Sequence, residues 1–315
     1  MKAITLKKTG GIENLTLTEL PLPEVATDQI LIKVKAIGIN PVDAFVRQNH
    51  QALESYVQPK NGSIVLGWDI SGTVTEVGNN VTGFKEGDDV FGLVNFPGEG
   101  RAYAEYVAAP ASHMALKPAN ITHEEAAAAT LAALTAWQAL VTHAKVKKGD
   151  KVLIHAAAGG VGHYAVQIAK HFGAYVIGTA SGGKENFVKL LGADEFLDHT
   201  KVPFEERFKN IDIVIDPIYG DHVLRSLDVV KTGGKVITLL TFFEGAIAEK
   251  AKTKNVFTHR LKVSSNGEDM KQLAALLALG KIRSSIMTTY VFEDLAKAHL
   301  QIQTGKTTGK IVVTI

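Results

Sequence analysis

The chain has 315 residues, with 34 lysines and arginines against 32 aspartates and glutamates, and it contains no cysteine. The nearly balanced charge argues against a dedicated nucleic-acid binder, and the lack of cysteine excludes disulfides, thiolate nucleophiles and cysteine-type zinc sites. Hydrophobic residues make up 46% of the sequence, enough for two domains with their own cores. No leader-like start and no bilayer-length apolar stretch are present. We therefore expect a cytoplasmic protein, not associated with membranes, whose partner is a small molecule.

The first third of the chain has the composition of strands and turns. Residues 29–36 alternate in places between apolar and polar residues, and residues 71–78 form a β-rich run that ends in glycine. This pattern indicates a largely antiparallel first domain. We place this domain at residues 1–121, completed by residues 268–315, whose final run reads as a strand that returns to it.

Beyond Ile121 the pattern changes to alternating helices and short apolar runs. Thr122 is a candidate helix cap, and candidate strands follow at 152–154, 175–177, 211–215 and 235–239. Each pair of runs is separated by enough residues for a crossover connection. The sequence therefore predicts a doubly wound parallel sheet in residues 122–267.

A glycine-dense turn joins the first of these strands to a helix. It contains Gly159, Gly160, Val161 and Gly162, although alanine replaces the first glycine of the usual G-x-G-x-x-G pattern. Glycines let the backbone approach a pyrophosphate, and a helix N-terminus offers free N–H groups. The turn is therefore predicted to bind a dinucleotide, the alternative being an ordinary tight connection.

The residues after the second strand decide which dinucleotide is expected. NAD enzymes place an acid there, on the ribose 2′-hydroxyl, whereas this chain has Ser181 and Lys184. A hydroxyl and an ammonium can hold a 2′-phosphate, so NADPH is the predicted cofactor. Glu185 is the alternative ribose ligand. His199, after the third candidate strand at 196–198, either flanks the adenosine phosphate or is a surface histidine.

Five motifs in order give the chain a wider resemblance. These are N-P-x-D in residues 38–43, G-x-D/E-x-x-G in 66–72, the segments 134–137 and 308–312, and A-x-x-G-x-x-G in 156–162. The chain resembles the zinc-free quinone oxidoreductase branch of the medium-chain dehydrogenase/reductase superfamily, which includes zeta-crystallin-like proteins. The resemblance implies a GroES-like β-rich catalytic domain and a Rossmann domain, a nicotinamide in the cleft between them, and a homodimer.

The zinc ligands of related alcohol dehydrogenases are replaced here. Asn40 stands where they carry a cysteine, Trp68 stands where they carry a histidine, and the cysteine-rich lobe is missing between Phe91 and Tyr106. No metal site is therefore predicted, the alternative being one built from other residues, such as Asp43 and His50.

Four residues near the first motif are the predicted catalytic residues. The amide of Asn40 can donate a hydrogen bond to the nicotinamide or a substrate carbonyl, or the residue shapes a turn. Asp43 either orients Asn40 or a water, or caps the next segment. Phe45, at a position that is commonly tyrosine in the family, offers a stacking surface. Arg47 either attracts a carbonyl or anionic group or pairs with a surface acid.

The resemblance also implies residues around the cofactor. Thr130 and Thr135 are expected near the nicotinamide, Leu240 and Thr241 after the fifth strand, and Lys310 near the phosphate end or the domain edge.

Without zinc as a Lewis acid, simple alcohols are poor substrates. Hydride transfer to a quinone leaves a phenolate, whose conjugate acid has a pKa of about 10, whereas an alkoxide has a conjugate acid with a pKa near 16. This difference corresponds to about 8 kcal/mol of anion stabilisation that the protein need not provide. The predicted function is NADPH-dependent, zinc-independent reduction of quinones by hydride transfer. The alternatives are reduction of 2-alkenals, enones or enoyl thioesters, and an NADPH-binding structural or RNA-binding protein with little catalysis.

Overall fold

The structure is a computed structural model that describes residues 1–57 and 63–315. The chain divides into two compact units, the first comprising Met1–Leu134 with Val263–Ile315 and the second Thr135–Lys262. The first unit thus takes more of the chain than the expected boundaries after residues 121 and 267.

Strands account for much of both units. In chain order they are β1 (Lys2–Leu6), β2 (Leu15–Glu19), β3 (Gln29–Ile39), β4 (Ile64–Val65), β5 (Asp69–Val77), β6 (Asp89–Leu93), β7 (Tyr106–Pro110), β8 (Met114–Leu116), β9 (Lys151–Ile154), β10 (Tyr175–Ala180), β11 (Glu195–Asp198), β12 (Ile211–Asp216), β13 (Val230–Thr238), β14 (Phe257–Arg260), β15 (Ile286–Val291) and β16 (Lys310–Thr314).

Most helices are short. They are α1 (Pro41–Gln48), α2 (His50–Tyr56), α3 (His123–Ala128), α4 (Leu131–Trp137), α5 (Gly160–His171), α6 (Glu185–Leu190), α7 (Phe204–Arg207), α8 (His222–Val229), α9 (Gly245–Thr253), α10 (Gly267–Ala278) and α11 (Leu295–Gln303). A π-helical turn (Gln138–His143) follows α4.

The first unit is built on a seven-stranded sheet. The strand order is β15-β16-β3-β5-β6-β8, with β7 also paired to β3, and a separate sheet has the order β2-β1-β4. Strand β16 runs antiparallel to β3, with Val312 opposite Gly38. The last strand therefore returns to the first unit, as the sequence predicted.

Helix α3 belongs to the first unit because of its buried face. Its N-terminus is capped by Thr122, whose hydroxyl accepts the Glu125 N–H at 3.2 Å. Ala127 and Ala128 are fully buried and pack with Val312 of β16. The cap at Thr122 was predicted, but the unit continues to Leu134 because packing, and not the cap, decides where the helix belongs.

The second unit contains a six-stranded sheet in the order β11-β10-β9-β12-β13-β14. Every pairing in this sheet is parallel, which agrees with the predicted Rossmann architecture. The direction of strand succession reverses between β9 and β12, and ligands of such sheets bind outside the carboxyl ends of the strands at this point.

The predicted glycine turn connects β9 to α5. Gly159 is the N-cap of α5, and Ala156, ahead of it, has a left-handed φ of 50°. A Cβ atom added to Gly162 would lie 2.2 Å from the Ala156 carbonyl oxygen. The helix therefore packs so closely on the turn that only glycine fits at this position.

We expect Gly162→Ala to lower the free energy of unfolding by about 1–3 kcal/mol, because the added methyl group must push the turn from the helix. Urea unfolding measures the change. Gly183→Ala is the control, since a Cβ there has no atom within 4 Å and should change stability by less than about 0.5 kcal/mol. Equal effects of the two substitutions would contradict the proposed close packing.

Candidate active site and cofactor site

Asn40 lies where β3 ends and α1 begins. It is the N-cap of α1, with Pro41 as the first helical residue. Its backbone N–H donates to Asp43 Oδ2 at 2.6 Å. Asp43 therefore caps the entry to the helix and fixes the backbone of Asn40, which leaves the Asn40 side chain to other partners.

The side chain of Asn40 is held by two buried charged residues. Lys310 Nζ donates to Asn40 Oδ1 and, at 3.2 Å, to the Ile39 carbonyl oxygen. Asn40 Nδ2 donates to Asp69 Oδ2 at 2.8 Å, and Lys310 Nζ lies 3.4 Å from the same oxygen. The other carboxylate oxygen, Asp69 Oδ1, accepts the Leu131 N–H at 3.1 Å. The three side chains thus form one buried group, which we call the Asn40 group.

This arrangement corrects the expected place of Lys310. Its side chain is only 2% exposed, and its ammonium is surrounded by acceptors of the first unit. It is therefore not available to a cofactor phosphate, and its role is to hold Asn40.

Burial dominates the electrostatics of the two carboxyl groups. Burial, helped by the charge of Asp69, raises the pKa of Asp43 to about 8. Burial also raises the pKa of Asp69, although the Lys310 ammonium opposes the shift. Asp43 Oδ1 is buried and lacks a hydrogen-bond partner among the described residues. Asp43 is therefore mostly neutral at pH 7, and Asp69 is the carboxylate paired with Lys310.

A second set of buried, hydrogen-bonded polar groups holds the Arg47 guanidinium. The Tyr103 hydroxyl lies 2.9 Å from His299 Nε2, and Arg47 Nε donates to His299 Nδ1 at 3.3 Å. The same guanidinium donates to the Gly10 carbonyl oxygen at 2.7 Å and to Gln303 Oε1 at 2.8 Å. Arg47 is 1% exposed. Both expected roles, attracting a substrate group and pairing with a surface acid, are therefore wrong, because a buried arginine held by three internal acceptors is structural.

Two aromatic residues, one just after the first motif and one within the second, differ in exposure. Phe45 on α1 is 54% exposed, so its ring is available for contacts. Trp68 is fully buried, and its indole N–H donates to the Gly98 carbonyl oxygen at 2.6 Å. Trp68 is thus a core residue.

The predicted cofactor residues of the second unit follow the carboxyl ends of its strands. The glycine turn follows β9, Ser181 and Lys184 follow β10, and His199 follows β11. The His199 N–H donates to the Ala180 carbonyl oxygen at 3.2 Å. This hydrogen bond joins the segment after β11 to the end of β10. Because β9, β10 and β11 are adjacent and parallel, these segments share one edge of the sheet.

An acid that the sequence analysis missed lies at this edge. Asp198 ends β11, and a Cβ at Gly182 would lie 2.3 Å from its Oδ2. Thr200 donates to Asp198 through both its N–H and its hydroxyl, and Lys201 lies 3.8 Å away. The Asp198 carboxylate therefore has partners in the residues that follow it in the chain. Glu185, the other acid, is exposed as the first residue of α6.

The remaining predicted cofactor residues have mixed surroundings. Thr241 is buried, and its hydroxyl donates to the Ile218 carbonyl oxygen at 3.1 Å, whereas Leu240 is 51% exposed. Thr130 is buried in the first unit, where its hydroxyl donates to the Ala127 carbonyl oxygen at 2.8 Å. Thr135 is also buried but belongs to the second unit.

The second unit fits a dinucleotide. The tight Gly162 contact brings the first turn of α5 against the end of β9, and the N–H groups of that turn have no carbonyl partner within the helix. A pyrophosphate at such a helix N-terminus gains several N–H donors and the favourable end of the helix dipole.

Two family models match the sequence. An alcohol dehydrogenase GroES-like domain matches residues 26–119, and a zinc-binding dehydrogenase model matches residues 191–313.

Within the described residues, every helix is too short or too polar to span a bilayer.

Similar proteins cover the whole chain. An NADPH-dependent alkenal/one oxidoreductase of Arabidopsis thaliana, described as chloroplastic, is 36% identical over 99% of this chain and 79% of its own length. A quinone oxidoreductase of Homo sapiens is 33% identical over 100% of this chain and 98% of its own. The solved quinone oxidoreductase of Coxiella burnetii superposes with a TM-score of 0.91 at 36% identity, covering 100% of this chain and 99% of that chain.

We expect Asp43→Asn to remove a pH dependence of stability. With a pKa of about 8 against an ordinary 3.8, folded Asp43 keeps a proton that the unfolded chain releases between these values. Its contribution to the free energy of unfolding therefore falls as pH rises through this window, by at most about 1.4 kcal/mol per pH unit. Relative to the parent, the Asp43→Asn variant should become steadily more stable from pH 5 to pH 8.

Urea unfolding of both proteins across this pH range measures the difference. The contributions of groups that are not coupled to Asp43 cancel in that difference. Asp28→Asn, at an exposed position, should run parallel to the parent at every pH. A parallel curve for Asp43→Asn as well would show that Asp43 is ionised in the folded protein.

Proposed function

The chain belongs to the quinone oxidoreductase branch of the medium-chain dehydrogenase/reductase superfamily, and on this basis we propose that it reduces quinones with NADPH and without a catalytic metal. It is an oxidoreductase of the kind that uses a nicotinamide cofactor. NADPH supplies the hydride when bound. The first unit supplies the hydrogen-bond donor that stabilises the developing negative charge on the substrate oxygen.

The orientation of the Asn40 amide carries this proposal. Lys310 has only donors and lies on Oδ1, and the Asp69 carboxylate has only acceptors and lies on Nδ2, so the amide has one allowed orientation. Nδ2 has two hydrogens, and Asp69 accepts one of them. The second is the donor that we assign to the substrate carbonyl oxygen.

The surroundings of Asn40 make this donor effective. The residue is only 2% exposed, and a fixed donor in a water-poor environment stabilises a developing oxyanion more than one in bulk water. Asp43 contributes by holding the Asn40 backbone, and Lys310 and Asp69 hold its side chain. All three are positioning residues.

The amide of Asn40, in place of a metal ligand, supports quinones as the substrate class. Although one matching model is named for zinc binding, the family resemblance implies that Asn40 and Trp68 replace two ligands of the zinc enzymes. A neutral N–H donor stabilises a phenolate of pKa about 10 more easily than an alkoxide near 16. The reduced quinone then takes its proton from solvent or a side chain.

Conjugated carbonyl compounds are the second candidate substrates. The Arabidopsis relative named as an alkenal/one oxidoreductase is as similar to the chain, at 36% identity, as the solved quinone oxidoreductase. An enolate, like a phenolate, delocalises its charge, so the same Asn40 donor would serve both reactions. Phe45, exposed on α1, is the candidate stacking surface for either acceptor.

We propose that the second unit holds NADPH through the glycine turn, Ser181 and Lys184. The name of the Arabidopsis relative supports NADPH, and Lys184 offers a cation at the expected place of the 2′-phosphate. His199, Leu240 and Thr241 are proposed to complete the cofactor site. A homodimer and a cytoplasmic location stay predictions.

The first experiment compares initial rates of NADPH oxidation with a simple quinone and a conjugated enone, using chelator-treated protein. We expect activity to survive chelation, and the preferred acceptor distinguishes the two substrate classes. Asn40→Leu should lower kcat by about 100- to 1000-fold, as expected for the loss of one oxyanion donor. Asn80→Leu, at an exposed position, should leave kcat unchanged.

Activity that disappears on chelation and returns with zinc would contradict the metal-free reaction. Tight NADPH binding with no turnover of any acceptor would instead favour a cofactor-binding protein with little catalysis, and a salt-sensitive interaction with RNA would then identify the third candidate function.

We expect Lys184→Ala to lower kcat/KM for NADPH by at least about tenfold and to leave kcat/KM for NADH nearly unchanged, because only NADPH has the 2′-phosphate. Steady-state rates with both cofactors measure the ratio. Lys148→Ala, an exposed lysine of the same unit, is the matched control. An unchanged preference in Lys184→Ala would show that another group recognises the cofactor.

A further inference from the structure

Three potential metal ligands of the second unit lie together outside the residues assigned to hydride transfer. His155 follows β9, Asp216 ends β12 and His222 begins α8. One ligand atom from each lies within 4.8 Å of the other two. The His155 and His222 rings are perpendicular, with centroids 4.5 Å apart. Three separate elements thus bring two imidazoles and a carboxylate to one point.

The atoms that face away from this point are also held. His155 Nδ1 lies 3.0 Å from the Thr179 hydroxyl, and Asp216 Oδ1 accepts the Ile218 N–H at 3.1 Å. Metal-binding histidines and carboxylates are generally oriented by such outer partners. Two of the three ligands, His155 and Asp216, therefore have the supporting contacts that are typical of an ion site.

Ser226 lies inside the cluster. Its hydroxyl donates to Asp216 Oδ2 at 2.7 Å and lies 3.3 Å from His155 Nε2, and His222 Nδ1 lies 2.8 Å from the same Asp216 oxygen. In the metal-free protein these groups satisfy one another. Hydroxyl groups can reverse direction, so Thr179 and Ser226 can adapt when an imidazole nitrogen turns its lone pair to an ion.

The charges favour a divalent cation. Asp216 is fully buried and contributes the carboxylate of the site, and His155 beside it is only 1% exposed. The nearby Arg225 donates twice to Glu205, at 2.6 and 2.7 Å, which offsets its charge. The His222 side chain is 16% exposed and gives an ion a route from solvent.

We propose that His155, Asp216 and His222 form a binding site for Zn²⁺, with the Ser226 hydroxyl or a water as the fourth ligand. Two histidines and one carboxylate are a common zinc donor set, and four ligands suit its tetrahedral preference. The site shares no residue with the Asn40 group and takes no part in the proposed reduction. By joining β9 to β12 it fixes the residue that precedes the glycine turn.

The test uses the untagged full chain, stripped of metal by a chelator and then dialysed. Titration with Co²⁺ should produce visible ligand-field bands that saturate at one equivalent per chain, and Zn²⁺ should displace the bound Co²⁺. Competition with a chromophoric chelator then gives the Zn²⁺ affinity. Chains that take up no stoichiometric Co²⁺ or Zn²⁺ would overturn the proposal before any variant is made.

The variants assign the ion to this site. His222→Ala and Asp216→Asn should each weaken Zn²⁺ binding by at least about 100-fold, and Thr179→Val, which removes only an outer partner, by about 10- to 100-fold. His171→Ala, an exposed histidine of the same unit, should bind like the parent. Unchanged affinity in His222→Ala, or an equal loss in His171→Ala, would overturn the assignment. Reductase rates are measured separately, so the two proposals can fail independently.

Discussion

The buried pairing of Lys310 with Asp69 is the interaction on which the rest of the first unit's site depends. Removing two charges from water is costly, and it is tolerated only where further hydrogen bonds satisfy both groups. Here Asn40 is the shared partner of both. The sheet makes this possible, because β16, β3 and β5 are neighbours, with Ile311 opposite Ile39 and Gly38 opposite Asp69. The register of three strands therefore sets the direction of one amide.

Much of the fold was predictable because its signals are local. Five of the six parallel strands, the glycine turn and the helix cap at Thr122 were predicted, because each depends on residues close together in the chain, whereas the edge strand Phe257–Arg260 was not. The predicted boundary after residue 121 differs from the observed one after Leu134. Helix α3 belongs to the first unit through its contact with Val312, which lies nearly two hundred residues away in the chain. The same helix cap is compatible with either unit until that contact is known.

The candidate site was predictable only in part, for a related reason. Motifs identified Asn40 and Asp43, but a motif does not tell whether a cation faces solvent or the interior. Arg47 was therefore assigned to substrate or a surface acid, and Lys310 to the cofactor. Asp69 lay inside a quoted motif without a role, although an acid next to a buried strand was a signal that it needs a partner. His222 had no distinguishing local pattern at all.

The division of the chain has a consequence for how the protein is made. The second unit is one continuous segment, whereas the first is assembled from segments on both sides of it. Domains fold as units during translation, so the nucleotide-binding half can form while β16 is still unsynthesised. Until Lys310 emerges from the ribosome, the Asn40 side chain lacks its partner on Oδ1. A nascent chain can thus acquire the fold of the second unit well before β16 brings Lys310 to Asn40.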